Sequence, residues 1–492
     1  MKKNNRLILK ALVKRTLFIA LLIIPIGAST QINKEQSKPN VIMIIFDDLR
    51  DHEAFTPFEV QTPNFDRLAK KGVRFDRAYC QLPVCNSSRA SFLTGLRPPT
   101  SKVVQNKEVD YKISKDVVTL PQALKNNGYY TISIGKVFHN NAGDGRSWDR
   151  DMENDPGYRD PIQYDKNIAK YADDPNLIFL NEKRFEYLYK GPEDLASYGY
   201  TDHLIAEDVE EFLDKAVEQS QPFFLAAGFK KPHNPYIGPS SFFDLYPTER
   251  VQLISEPEDK TEPYYWATPP SHRDEFDAMD AYHRKLFMSA YSAVTTFSDD
   301  QMGRLLDKMD EHNLWNNTII ICFGDHGYHL GEHNNHWGKV TLYELSARVP
   351  MVVYVPGIKT AGERTKGVVE LVDLFPTLAD LLGITPPDNL EGESFKALLK
   401  DPSKPWDNEA FIYEGNDVDN LQYSIVTGRY RYTVWADRDP VRYELYDHSK
   451  DPGEYYNLIK DLSNEEIKAS VYADIVTELE ARRANPSNPN KL

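Results

Sequence analysis

Five short apolar runs punctuate the chain: Val41–Phe46 (VIMIIF), Thr131–Gly135 (TISIG), Pro222–Phe229 (PFFLAAGF), Thr318–Phe323 (TIIICF) and Met351–Val355 (MVVYV). A strand with one wet face alternates apolar and polar residues. A run that stays apolar is covered on both faces, as the strands of a parallel sheet are. Helical periodicity fills the intervals. Asn64–Lys71 stops at Gly72, and Thr119–Asn127 opens on a capping Thr and closes before Gly128. Thr201–Ser220 places Leu204, Ile205, Val209, Phe212, Leu213 and Ala216 on one face, and Leu286–Asn313 is a second long helical stretch. Strands alternating with helices predict an α/β fold with a large, doubly wound, mostly parallel sheet flanked by helices.

The pattern changes near Glu409. Short alternating segments such as Tyr423–Trp435 and Tyr443–Tyr446 precede a helical stretch near Asn464–Arg483. They predict a smaller C-terminal subdomain, 406–492, with a short antiparallel sheet and a helix. The Pro-rich, charged segment Lys400–Asn408 separates it from a main domain over 31–405. The polar stretch Asn140–Tyr200 reads as a loop insertion over one end of the sheet, where recognition loops tend to sit.

The first thirty residues stand apart. Lys2, Lys3, Arg6, Lys10, Lys14 and Arg15 precede the apolar run Leu17–Ile26, and Gly27-Ala28-Ser29-Thr30 follows it. This is the pattern of a secretory signal peptide over 1–30. The run falls short of the roughly 20 residues that span a bilayer, no Cys follows it to carry a lipid, and no later stretch is apolar enough to span. The expected location is periplasmic or secreted, without a membrane anchor. Charge sharpens the picture: 58 Lys+Arg against 74 Asp+Glu give −16, and losing the six basic residues of the leader gives −22. So acidic a chain is not built to bind nucleic acid. An anionic ligand would need a local cationic pocket. Aromatic content of 12% excludes disorder as the main state, and 3 cysteines do not make a disulfide scaffold.

Chemistry collects where the strands end. Val41–Phe46 runs into Asp47-Asp48, Thr131–Gly135 into Lys136 and His139, Pro222–Phe229 into Lys230-Lys231-Pro-His233, and Thr318–Phe323 into Asp325-His326. Strand ends of a parallel sheet share one edge, so these groups can converge. Carboxylates crowded together repel unless a cation sits among them, and an oxygen-rich set selects Ca²⁺ or Mg²⁺. A further cluster, Cys85-Asn-Ser-Ser-Arg89-Ala-Ser-Phe-Leu-Thr-Gly95, starts a short helix whose first N–H groups can cradle an oxyanion. On the residues alone Cys85 is a buried hydrophobe, a partner for Cys80, or a thiolate nucleophile activated by the helix end.

Cys85-Asn-Ser87-Ser-Arg89 followed by Thr-Gly resembles the signature of type I, formylglycine-dependent sulfatases, within the alkaline phosphatase-like superfamily. The resemblance continues in order through Asp47-Asp48, Gly135-Lys136 with His139, Lys231-Pro-His233, Asp325-His326-Gly, Lys339, and Tyr446-Asp447 with Asp451-Pro-Gly-Glu454. Gly-Lys-Val-Phe-His and Lys-Pro-His-x-Pro are most similar to the iduronate 2-sulfatase branch. The resemblance implies that Cys85 is modified to formylglycine by a maturing enzyme. Its hydrate would attack sulfur, release the alcohol and then expel sulfate. It also implies one Ca²⁺ held by Asp47, Asp48, Asp325, His326 and residue 85. Arg89 would support the nucleophile and the carboxylates, and Lys136 and Lys339 would bind sulfate oxygens. His139 would help expel sulfate, His233 would protonate the leaving alcohol, and Lys231 would touch sulfate or a uronate. His329, His333 and His336 stand as substrate neighbours only.

The implied activity is hydrolysis of sulfate esters in a sulfated polysaccharide or its oligosaccharides, with a 2-O-sulfated uronic acid favoured, of glycosaminoglycan or algal ulvan type. Two alternatives stay open: a phosphonate or phosphate ester hydrolase of the same superfamily, and an inactive glycan-binding protein if Cys85 stays a thiol or pairs with Cys80. Cys322, inside an apolar run, reads as inert.

Overall fold

The computed structural model describes residues 38–55, 59–106, 113–139, 145–153, 173–179, 187–268 and 276–484. The leader expected over 1–30 and parts of the 140–200 insertion lie outside them. Among the described residues, nine strands build the main sheet. They are β1 (Asn40–Asp47), β2 (Val73–Tyr79), β3 (Tyr130–Gly135), β4 (Arg150–Met152), β5 (Phe223–Pro232), β6 (Thr318–Gly324), β7 (Arg348–Tyr354), β8 (Arg364–Thr365) and β9 (Val369–Glu370). Their order is β8-β2-β7-β6-β1-β5-β3-β4, with β9 also on β2. β1 runs parallel to both β5 and β6, and β3 parallel to β5.

β1 explains the unbroken apolar runs. Val41, Met43 and Ile45 enter the core on one face, and Ile42, Ile44 and Phe46 enter the core on the other. With both faces covered, alternation of the pleat no longer means alternation of polarity. Helices cover one face through Ile205, Val209 and Leu213 of Thr201–Ala216 and Met302, Leu305, Leu306 and Met309 of Ala281–Glu311. The other face packs against Cys85–Thr94, Leu120–Asn126 and Leu374–Leu382. Caps fall as the sequence demands: Thr119 Oγ1 accepts from Gln122 N at 3.2 Å, and Gly95 closes Cys85–Thr94 at φ +70°.

Two expectations need correction. Met351–Val355 lies in a strand that is antiparallel to both β6 and β2. It is buried on both faces, so its pattern carries no information on direction. The helical stretch Asn464–Arg483 is two helices, Asn464–Lys468 and Ala473–Ala484. The first is short, opened by a reciprocal Ser463–Glu466 capping box. Before them, β10 (Ala410–Glu414), β11 (Gln422–Val426), β12 (Tyr430–Trp435) and β13 (Arg442–Asp447) form a four-stranded antiparallel sheet. Ala410, Ile412, Val426, Trp435 and Tyr446 belong to the same apolar cluster as Val41 and Met43. Described parts of the 140–200 stretch add β4 to the main sheet. They also place Leu177–Phe179 and Tyr187–Gly191 in a side sheet with Tyr236–Pro239. No described helix is long and apolar enough to cross a membrane.

Candidate active site

Parallel register sets the site. Phe46 lies opposite Gly324 and Asp47 opposite Pro232, while Gly135 lies opposite Gly228. The residues that follow these positions therefore leave the sheet together. The chain turns sharply at Asp48, with φ +66°, a conformation Asp tolerates better than most residues. Tyr291 of the long helix clamps this turn. Its hydroxyl donates to the Asp48 carbonyl at 2.5 Å and accepts from Arg50 N at 3.1 Å. At the next edge Gly228 is required by contact, because a Cβ there would lie 1.9 Å from the Lys136 carbonyl oxygen.

Cys85 starts its helix fully buried. Its Sγ lies 3.0 Å from Lys339 Nζ, 3.4 Å from His326 Nε2 and 3.9 Å from Asp48 Oδ1, and it hydrogen-bonds His139 and His233. Asp47 pairs with Arg89 Nη2 at 3.2 Å and with Lys136 Nζ at 2.5 Å. Asp48 takes Lys339 Nζ at 2.5 Å, His326 Nε2 at 3.3 Å and His233 Nε2 at 3.9 Å. Asp325 accepts from Arg89 Nε at 2.9 Å, from its neighbour His326 N at 2.9 Å and from Asp48 N at 3.0 Å. Arg89 also donates to the carbonyls of Lys136 and Val137, tying the β3 loop to the helix. Three carboxylates thus meet three cationic side chains, Arg89, Lys136 and Lys339.

These charges set the local acidities. Burial and the Cys85 charge push Asp47 up, yet Lys136, His233 and Arg89 hold it below the usual carboxylate range. Burial likewise opposes ionisation of Cys85. Lys136 and Lys339, with hydrogen bonds from His139 and His233, outweigh it and hold the thiol well below its ordinary value. Burial pulls His233 down, while Asp48 and Asp47 more than restore it, so it is raised. His139 is lowered, chiefly by burial. The site stabilises negative charge at residue 85 and keeps His233 able to carry a proton.

The cluster can hold a metal ion. Asp47, Cys85, Asp325 and His326 present ligand atoms within 4.8 Å of one another, as do Asp47, Asp48, Cys85 and His233. Each set holds two carboxylates beside the Cys85 sulfur and an imidazole, so Asp47, Asp48 and Asp325 supply the oxygen ligands that a hard cation takes.

Not every sequence candidate joins the cluster. Lys231 is buried, and its Nζ points to the carbonyls of Pro235 at 2.7 Å and His233 at 3.4 Å. It braces the loop that carries His233. His329, His333 and His336 are also buried: His329 Nε2 contacts Thr341 Oγ1 at 2.9 Å and His336 Nε2 the Lys339 carbonyl at 3.2 Å. Cys80, Cys85 and Cys322 are all free, so Cys85 is not paired with Cys80. Sequence reasoning missed Tyr291 and Asp202. The Asp202 carboxylate accepts from Lys230 N at 2.7 Å, Lys231 N at 3.0 Å and Ser298 Oγ at 2.8 Å. Both act on backbone from distant helices, and no local motif marks them.

Known proteins resemble this chain over most of its length. A family model described as sulfatase matches residues 39–384, and one described as N-sulphoglucosamine sulphohydrolase, C-terminal, matches 331–482. Human iduronate 2-sulfatase is 30% identical over 523 residues, covering 89% of this chain and 94% of its own. A solved structure of a protein in complex with its substrate D-glucosamine-2-N,6-O-disulfate superposes with a TM-score of 0.69 at 20% identity, covering 92% of this chain and 99% of the other. The phosphonate monoester hydrolase of Agrobacterium radiobacter superposes equally well, with a TM-score of 0.69 at 20% identity and coverage of 90% and 96%. At that identity the two structures establish the fold alone.

Proposed function

This chain belongs to the sulfatase family and is a sulfuric ester hydrolase, and from that premise we propose that it removes 2-O-sulfate from a uronic acid in a sulfated glycan, of glycosaminoglycan or ulvan type, in the periplasm or outside the cell. The observation that carries the reading is the burial of Cys85 at a helix start, with Lys339 Nζ at 3.0 Å and with His139 and His233 hydrogen-bonded to its sulfur. Residue 85 is the modified residue, matured to formylglycine by a separate enzyme. Asp47, Asp48, Asp325 and His326, together with residue 85, would hold one Ca²⁺. Loaded, the modified residue supplies a hydroxyl nucleophile and the cation supplies charge that polarises the sulfate oxygens.

The chain's own groups do the rest. Lys136, paired with Asp47, and Lys339, beside residue 85, would donate to the sulfate oxygens as negative charge builds. Arg89 orients Asp47 and Asp325. His233, raised by Asp48 and Asp47, holds the proton that the leaving sugar oxygen needs. His139, hydrogen-bonded at position 85, takes the proton whose removal releases sulfate. Lys231 acts on this site through the His233 loop. The division into a leader over 1–30, a catalytic domain over 31–405 and a C-terminal subdomain over 406–492 belongs to the same proposal.

The similarity to human iduronate 2-sulfatase across nearly the whole chain supports the uronate reading. The shared fold of a phosphonate monoester hydrolase keeps phosphonate esters as the second substrate class to assay. The test is peptide mass spectrometry across residue 85 on protein from its native host, then sulfate release from a panel of sulfated disaccharides and a phosphonate monoester. An aldehyde at position 85 and selective release from 2-O-sulfated uronates are expected. Cys85→Ala should abolish release while leaving the circular dichroism spectrum unchanged. An unmodified thiol in active protein, or faster turnover of the phosphonate, would overturn the reading.

A further inference from the structure

Lys339 reaches the site from a bend that the backbone does not favour. The next residue, Val340, sits at φ +68°. A β-branched residue in the left-handed region is strained and persists only where its surroundings dictate it. Both sides of the bend are held. Before it, the Lys339 carbonyl meets His336 Nε2 at 3.2 Å. After it, Thr341 Oγ1 meets His329 Nε2 and Ser346 Oγ, each at 2.9 Å.

The next hold comes from the C-terminal sheet. Arg431, on β12, is wholly buried. Its Nη1 donates to the Leu342 carbonyl at 2.5 Å and its Nη2 to Glu344 Oε1 at 2.9 Å. Its Nε donates to Glu454 Oε1 at 2.5 Å, and Glu454 Oε2 in turn accepts from Glu344 N at 2.8 Å. Tyr79 OH donates to the same Glu344 oxygen at 2.9 Å, and His448 Nε2 lies 2.8 Å from Glu454 Oε1. One guanidinium therefore fixes the backbone at 342 and, through two carboxylates, the backbone at 344.

We propose that Arg431 is a positioning residue for Lys339. By clamping Leu342 and Glu344 it keeps the Val340 bend left-handed and so keeps the Lys339 ammonium beside residue 85 and Asp48. The C-terminal sheet thus contributes to the active site without touching substrate. The proposal rests on the reading of Lys339 as a sulfate-binding group. Released from the clamp, Val340 relaxes toward ordinary φ and Lys339 leaves its place.

The test is a double-mutant cycle on the matured enzyme with an aryl sulfate. Arg431→Lys keeps the charge but serves one acceptor at a time. It should lower kcat about 10- to 100-fold, part of the loss expected for removing one charge-stabilising donor, with a smaller change in KM. Glycine adopts a left-handed bend without penalty, so in a Val340→Gly background the loss from Arg431→Lys should shrink at least about fivefold. A merely structural role would lower thermal stability but show no such coupling. Equal losses in both backgrounds, or a kcat within about twofold of the parent when Lys339→Ala is inactive, would overturn the proposal. Full activity in Lys339→Ala would instead remove the reading beneath it, and the proposal with it. Should Arg431→Lys fail to fold, Glu454→Gln loosens the same clamp at Glu344 N, and the same coupling with Val340→Gly is expected.

Discussion

Arg89→Ala is the most exacting test of the site as a balanced charge cluster. Arg89 is fully buried and donates to Asp325 Oδ2 at 2.9 Å, to Asp47 Oδ1 at 3.2 Å and to the carbonyls of Lys136 and Val137. Each hydrogen bond to a carboxylate contributes roughly 1.5–3 kcal/mol. The larger cost is what remains: two buried carboxylates that share Lys136 and His326 as their nearest compensation. Removing one partner of a buried ion pair costs about 3–5 kcal/mol, a large part of the roughly 5–15 kcal/mol that holds a typical protein folded. With a urea m-value near 3 kcal/mol/M, the top of the small-protein range, the midpoint should fall by about 1–1.7 M. The assay is urea unfolding followed by tryptophan fluorescence, in chelator, so that no divalent cation substitutes for the lost charge. Arg89→Lys keeps the charge, but one ammonium cannot serve both carboxylates and both carbonyls, so its midpoint should fall between the two. A shift under about 0.3 M for Arg89→Ala, equivalent to about 1 kcal/mol at that slope, would mean that Asp47 and Asp325 do not depend on it, and the reasoning would fail.

Three further outcomes are expected. Gly228→Ala forces a Cβ to within 1.9 Å of the Lys136 carbonyl oxygen; it should cost about 2–3 kcal/mol by calorimetry and lower turnover, and an unchanged melting temperature would refute the contact. His233→Ala should cut kcat/KM on sugar sulfates by about 10²–10⁴ yet spare aryl sulfates with good leaving groups, so equal losses on both would take the proton-donor role from His233. Glu444 accepts from Trp435 Nε1 at 3.0 Å, Tyr446 OH at 3.2 Å and Tyr343 OH at 3.4 Å, and burial pushes its carboxyl up from 4.5 to about 7. The fold therefore favours the neutral acid, and this group's contribution is complete below the unfolded value and lost as pH rises through 7, by about 3 kcal/mol at most. Glu444→Gln stays neutral, so it should match the parent at pH 5 and exceed it by about 1–3 kcal/mol at pH 8; the same difference at both pH values would contradict this.

What the sequence reveals depends on whether a role is written locally. The runs at β1, β5 and β6 were legible because burial on both faces keeps their interiors apolar, and β3 was legible through Ile132 and Ile134, although Thr131 and Ser133 are buried beside them. The same uniformity hid the direction of β7, since pairing antiparallel to β6 and β2 needs no different side chains. β2 was missed for the opposite reason. It carries Arg74, Asp76 and Arg77, and Arg74 is buried only because Asp51 and Glu53 meet it there. The candidate site divides along the same line. Asp47, Asp48, Lys136, His233, Asp325 and His326 announce themselves by following strands, so a parallel sheet was enough to bring them together. Tyr291, Asp202 and Arg431 follow no such rule. Each holds backbone from an element at least 28 residues away in the chain, and a backbone carbonyl or N–H carries no sequence of its own. Lys231 shows the converse case: its sequence position gave it as a substrate contact, and the fold turns its ammonium to two carbonyls of its own loop. Reactive side chains that converge on one edge can be read from a sequence, whereas those that hold the edge in shape become visible only when their hydrogen bonds can be followed in three dimensions.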